Sequence, residues 1–277
     1  MPPSRSPVVR PKVVVTRARS QSSGLVDRLV GLGMEVIELP VIAIADPADG
    51  GSALRAAARR LVSGHYAWVV LTSPNAVSRL VDAVGAASLP DAVRWAAVGS
   101  GTAGALSDAG ITADLVAAGS LAEALADEFP SPVAGASSDP ALVRVLFPRA
   151  ETVRPVLAEG LEAKGWTVDQ VVSYRTVAGD PDHSAVERAR GADAIAFTSS
   201  STVRRAVALL GPDAIPATVV TIGPLTSEAA GGAGLNVARE ANPHSLDGLV
   251  DALVAVLGDR PSDSGDRRRR QDPHQKQ

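Results

Sequence analysis

Four short clusters of small polar residues each stand between a predicted strand and the helix after it: Thr72-Ser73-Pro74-Asn75, Gly99-Ser100-Gly101-Thr102, Thr198-Ser199-Ser200-Ser201 and Gly223-Pro224-Leu225-Thr226. The start of a helix offers unpaired backbone N–H groups and the positive end of the helix dipole, so it can seat an anion. The same hydroxyls serve as N-caps, and for any single Ser or Thr capping is the commoner use. Four clusters facing one cleft favour anion binding, and the main-chain N–H groups serve both purposes. Four arginines accompany them. Arg17 and Arg149 each follow a predicted strand and precede a helix, Arg154 lies about one helical turn past Arg149, and Arg175 stands further on. A guanidinium fork binds carboxylates and phosphates through two parallel bonds, so arginines at matched positions point to an acidic ligand. Tyr174, in VVSYRTV, adds a phenol that keeps its proton at working pH and acts as a donor. Its ring has a competing use as a cover for neighbouring strands.

Other chemistries find no residues. The chain has no Cys, which removes disulfides, thiolate nucleophiles and thiolate metal sites. Its four His are scattered without ligand spacing, so no metal is expected. Gly99-Ser100-Gly101 is too short for a dinucleotide fingerprint and no phosphate-loop motif occurs, so a nucleotide-dependent transferase is not expected. No Asp, Glu or His stands out as an obligatory base. The start, MPPSRSPVVRPK, lacks an apolar leader segment and no stretch approaches a membrane span, which predicts a cytoplasmic protein without a membrane partner. The net charge of −3 is bland, and four consecutive Arg near the C-terminus read as part of a solvated, disordered basic tail over 259–277 rather than a nucleic-acid site.

The elements that must position these residues alternate regularly. Val13-Val14-Val15, Val69-Val70-Leu71, Ala96-Ala97-Val98, Val145-Leu146-Phe147, Ala194-Ile195-Ala196-Phe197 and Val219-Val220-Thr221-Ile222 each lead into an amphipathic stretch. Leu25, Leu29 and Leu32 share a helical face, and Pro74 suits a first helical position. Strand–helix alternation predicts parallel sheets with helices on both faces. With only eight aromatic residues, Val, Leu and Ala must fill the cores.

The chain also repeats itself in order. Arg17 recurs as Arg149, Leu71-Thr72-Ser73 as Phe197-Thr198-Ser199, Val98-Gly99 as Ile222-Gly223, and Ser120-Leu121 as Ser245-Leu246, at offsets between 124 and 132 residues. Two lobes built from one duplicated set enclose a cleft, a usual place for a ligand. The small polar run 131–139 would be the simple boundary between sequential domains. Two segments argue against it. Residues 34–45 and 166–177 are each extended in pattern for about twelve residues, twice a typical strand of ~5–6, so each can finish one sheet and continue as a bridge. That predicts a discontinuous first lobe of 1–39 plus 178–258, a second lobe of 44–172, and bridging strands at 40–43 and 173–177.

At these motifs (VTR, LTSPNAV, PRA, SYRTV, FTSSS, IGP-TSEAA) the chain resembles the uroporphyrinogen-III synthases, over about residues 12–257. The resemblance implies an α/β fold of two flavodoxin-like lobes with parallel sheets, joined by a two-stranded β-ladder, with a cleft between the lobes. It implies a lyase that dehydrates and cyclises hydroxymethylbilane, inverting the D pyrrole ring, to uroporphyrinogen III in tetrapyrrole biosynthesis, with no metal or cofactor. The enzyme would be a monomer, open to transient contact with the enzyme that precedes it in the pathway. Tyr174 then falls where the family has a Tyr proposed to assist loss of the substrate hydroxyl. The substrate carries eight carboxylates, which gives work to Arg17, Arg149, Arg154 and Arg175 and to the helix starts at Thr72, Ser73, Gly99, Thr102, Ser199, Ser200, Gly223 and Thr226. The rival reading is a non-catalytic two-lobed module that binds a small anion.

Overall fold

The computed structural model describes residues 10–118, 121–133 and 140–258. In chain order its strands are β1 (Lys12–Val15), β2 (Glu35–Glu38), β3 (Ile42–Ala45), β4 (Trp68–Leu71), β5 (Arg94–Ala97) and β6 (Leu115–Val116). The second half continues with β7 (Arg144–Ala150), β8 (Thr167–Ala178), β9 (Ala194–Phe197), β10 (Thr218–Thr221) and β11 (Val237–Glu240). The helices are α1 (Ser23–Gly31), α2 (Ser52–Val62), α3 (Pro74–Val84), α4 (Ser100–Asp108) and α5 (Ala122–Glu128), then α6 (Val156–Ala163), α7 (His183–Arg190), α8 (Ser200–Leu210), α9 (Pro224–Gly232) and α10 (Leu246–Gly258). The expected basic tail and most of the expected 131–139 loop lie outside the described residues.

The strands form two sheets, one ordered β2-β1-β9-β10-β11 and the other β3-β8-β7-β4-β5-β6. All neighbours are parallel except β3 and β8. The first sheet has the flavodoxin order 2-1-3-4-5. So does the second if β7 is counted first: β8-β7-β4-β5-β6. Each sheet therefore takes its two leading strands from one copy of the repeat and its last three from the other. The duplicated halves have exchanged partners.

Each sheet is sandwiched between helices, three on one face and two on the other. In the first, Ala185, Val203 and Ala230 bring α7, α8 and α9 against one face, while Leu25 of α1 and Leu249 of α10 pack on the other. In the second, Leu61, Val77 and Leu106 bring α2, α3 and α4 to one face, and Leu125 and Leu161 carry α5 and α6 to the other. Small aliphatics do most of the filling, as the composition requires. The exception is a stack of Trp68, Phe129 and Trp166 behind the second sheet, with ring centroids 4.9 and 5.7 Å apart.

The two long segments differ from each other. Residues 167–178 form one unbroken strand, whereas 34–45 splits into β2 and β3. Pro40 separates them, because it has no N–H to give a ladder. The antiparallel ladder pairs Ile42–Ala45 with Arg175–Ala178 and is extended by a bond from the Gly179 N–H to Val41 O. It thus lies about two residues later than the bridge expected at 40–43 and 173–177. Where the two passes cross, a Cβ on Gly179 would stand 1.9 Å from Pro40 O, so only glycine fits.

We propose that each sheet with its helices is one cooperative unit. A fragment of residues 1–135 keeps β1 and β2 but loses β9–β11, their partners. It is expected to show no cooperative unfolding by circular dichroism, whereas 40–178, holding all six strands of the second sheet, unfolds cooperatively. A stable, cooperative 1–135 fragment would sink the division.

Candidate active site

In an open α/β sheet the crevice lies beyond the carboxyl ends of the strands, where the strand order reverses. In the first sheet that point falls between β1 and β9, in the second between β7 and β4. Arg17 follows β1 and the Ser199 cluster follows β9. Arg149 stands in β7 and the Ser73 cluster follows β4. The swap therefore sets an arginine from one copy beside a helix start from the other at both switch points.

The helix starts are of two kinds, alternating in the same order in both sheets. Ser73 and Ser199 are true N-caps, their Oγ accepting from Ala76 N and Thr202 N, each at 3.3 Å. Gly99 and Gly223 occupy the cap positions of α4 and α9 with no side chain to cap them. Gly99 has φ 88°, a left-handed backbone that suits glycine. The following Thr102 and Thr226 are buried, at 3% and 4% exposure. The start of α4 thus presents backbone N–H groups beside the exposed Ser100 hydroxyl, whereas α9 opens on Pro224, which has no N–H, and its Thr226 N–H is already given to Gly223 O. Thr72 is half-buried, and Ser200 Oγ donates to Leu225 O at 2.8 Å, tying the start of α8 to that of α9.

Arg17 and Arg149 share an unusual property. The Nε of each is buried without a hydrogen-bond partner, and among the described residues no other buried side-chain nitrogen or oxygen is so left. Arg149 still donates from Nη1 to the carbonyls of Ala150 and Glu151, both at 2.9 Å. Burial pushes the Arg17 guanidinium below its ordinary pKa, since desolvation disfavours the charged form. A buried unpaired donor costs about 1–3 kcal/mol, and both copies carry one at the same place. Arg149 lies inside β7 rather than after the strand as expected, because β7 runs three residues longer than β1 to match β8.

The other two arginines are engaged. Arg154 sits in the loop before α6 rather than within a helix, exposed, and grips both carboxylate oxygens of Glu123, which holds that carboxyl below its usual range. Arg175, on the ladder, donates from Nε to Asp46 O at 2.8 Å.

Tyr174 is 7% exposed, its ring packed in the α2–α3–α4 side of the second core. Its hydroxyl meets Ser73 Oγ at 2.9 Å, and its carbonyl accepts from Glu151 N at 3.0 Å. One residue thus ties the Ser73 helix start to the turn after Arg149. Tyr66 is a core residue. Arg60 Nε donates to its hydroxyl at 2.9 Å, the hydroxyl donates to Asp169, and burial pushes its pKa up to about 12.

Two contacts had no signal in the sequence. His244 packs on the start of α9, with its Nε2 3.2 Å from Glu240. Gln21, at the end of a short 3₁₀ turn after Arg17, donates across to Asn75 on α3. Among the described residues no cluster of three His, Asp or Glu is suited to hold a metal ion, and no helix is long and apolar enough to cross a membrane.

The model of the family described as uroporphyrinogen-III synthase HemD matches residues 23–251. A uroporphyrinogen-III synthase of Synechococcus elongatus is 32% identical over 267 residues, covering 90% of this chain and 97% of that protein. The chain belongs to the uroporphyrinogen-III synthase family. Another relative, the porphyrin biosynthesis protein HemD of Ruminiclostridium josui, is 27% identical over 92% of this chain, which corresponds to half of that longer protein. The fold agrees with solved uroporphyrinogen III synthases from Thermus thermophilus, in a mutant form (TM-score 0.60, 19% identity), and from Helicobacter pylori (0.54, 16%), each covering 90% of this chain and all of the other. Family membership sets aside the non-catalytic binding module.

Proposed function

We propose that this uroporphyrinogen-III synthase seats the carboxylates of hydroxymethylbilane at its two switch-point crevices and closes the macrocycle between them. The observation that carries this reading is the pair of buried, unpartnered Nε donors on Arg17 and Arg149. A long, flexible polyanion bridging both crevices pairs with both guanidinium groups at once. The start of α4 adds backbone N–H groups for further carboxylates, and that of α9 adds the N–H of Leu225. Arg154 and Arg175 assist only if they give up their present partners.

Tyr174 is the acid. As the terminal hydroxyl leaves as water, the phenol gives it a proton. Ser73 Oγ then donates to the phenolate, and the positive end of α3 steadies the developing charge. The azafulvene cation left behind closes without inversion if it is free to relax. Held at both ends, it is attacked instead at the substituted carbon, and the resulting spiro intermediate rearranges to the type III ring. This is work of orientation and of excluding water.

The protein works as a cytoplasmic monomer without cofactor. The test is direct: purified, chelator-treated protein given hydroxymethylbilane is expected to yield mainly the type III isomer. A product mixture no different from spontaneous type I closure overturns the assignment.

A further inference from the structure

Gln21 Nε2 donates to Asn75 Oδ1 at 2.5 Å, and the two residues belong to different lobes. Gln21 ends the 3₁₀ turn Arg19–Gln21, which follows shortly after Arg17. Asn75 lies in the first turn of α3, two residues past Ser73, the partner of Tyr174. The bond therefore joins the switch point of the first lobe to the acid site of the second. Both side chains are half-buried and belong to neither hydrophobic core. A cavity of about 310 Å³ separates Arg19 and Ser20 from Ile42, Ile44 and Gly179 at the ladder. The turn is anchored in the first lobe at both ends, by buried Ala18 and Ser22, and reaches the second lobe at its tip.

We propose that Gln21 and Asn75 form an interlobe latch that determines which isomer is made. Latched, the cleft holds the Arg17 end of the substrate against the Tyr174 end while the cation exists. Unlatched, the lobes separate about the ladder, the chain relaxes, and closure proceeds without inversion. The pair touches no reacting atom and acts by positioning. The idea rests on the reaction assigned above.

The experiment measures the type I to type III ratio at enzyme concentrations where enzymatic consumption far outruns spontaneous closure. Under that condition the ratio reports what leaves the enzyme, not lost rate. Gln21→Ala and Asn75→Ala are each expected to raise the type I fraction about two- to tenfold, the equilibrium worth of one net hydrogen bond, with KM raised and thermal unfolding unchanged. Gln21→Glu keeps the bond, because the Asn75 amide donates to the new carboxylate, and is expected to retain the wild-type ratio. Gln21→Glu combined with Asn75→Asp opposes two carboxylates and is expected to shift the ratio further than either alanine. Alanine variants with the wild-type ratio and KM would show a passive contact and overturn the latch, while leaving the reaction standing. Wild-type protein that makes no type III at all would overturn both.

Discussion

Tyr174→Phe is expected to lower turnover of hydroxymethylbilane by about 10²-fold, the low end for removal of a positioned general acid, with type III still the main product. The ring is buried in the second core and phenylalanine keeps its packing. Only the hydroxyl and its 2.9 Å bond to Ser73 are lost. The leaving hydroxide departs readily and water partly replaces the acid, which keeps the loss at that lower end. The isomer follows from how the substrate is held, so it does not change with the acid. Ser73→Ala is expected to cost less activity but about 1 kcal/mol of stability, because Ser73 also caps α3. Single-turnover rates and product isomers, measured on variants shown to be folded, check both. A folded Tyr174→Phe with wild-type kinetics would reduce the residue to a cover for the ladder.

The second large effect is expected from the matched arginines. Arg17→Met and Arg149→Met, which keep length and lose charge, should each raise KM about 10- to 100-fold, the worth of a hydrogen bond to a charged group. Their effects on stability should differ. Arg17 has a buried Nε without partner and a pKa lowered by desolvation, so replacing it removes an uncompensated cost, and the melting temperature is expected to rise. Arg149 donates to two backbone carbonyls, and Arg149→Met is expected to lower it. Calorimetry beside steady-state kinetics separates the outcomes. If Arg17→Met unfolds at a lower temperature with KM unchanged, that arginine is part of the scaffold and not of the binding surface.

Much of this was legible in the order of residues. The strands sit on the apolar triplets because a sheet covered on both faces needs continuous Val, Ile and Leu runs. The helices begin at the predicted Ser, Gly and Pro positions because caps and first-turn geometry are local. The repeat, the matched arginines and the polar strand ends can be read from one chain laid against itself. Local patterns stop at partners, however. Pro40 marks where a strand must break, but not the register of the ladder that follows, which pairs Ile42–Ala45 with Arg175–Ala178. Arg154 was a free cation until folding brought Glu123, 31 residues distant, against it. Thr102 and Thr226 stand at helix starts in the sequence, and only the fold shows that both are buried.

The sequence by itself determined the class of fold, the duplication and the set of side chains available for chemistry, because periodicity, capping and charge act within a few residues of the chain. Only the tertiary structure decided which strands lie side by side, β1 with β9 and β7 with β4, which brings the strand end at Arg17 to that at Ser199 and the strand end at Arg149 to that at Ser73. It alone brought Tyr174 to Ser73 and Gln21 to Asn75. These pairings join residues 54 to 182 positions apart, and nothing local encodes them. They follow from which strand each edge accepts and which faces are buried together, a choice made by the whole core.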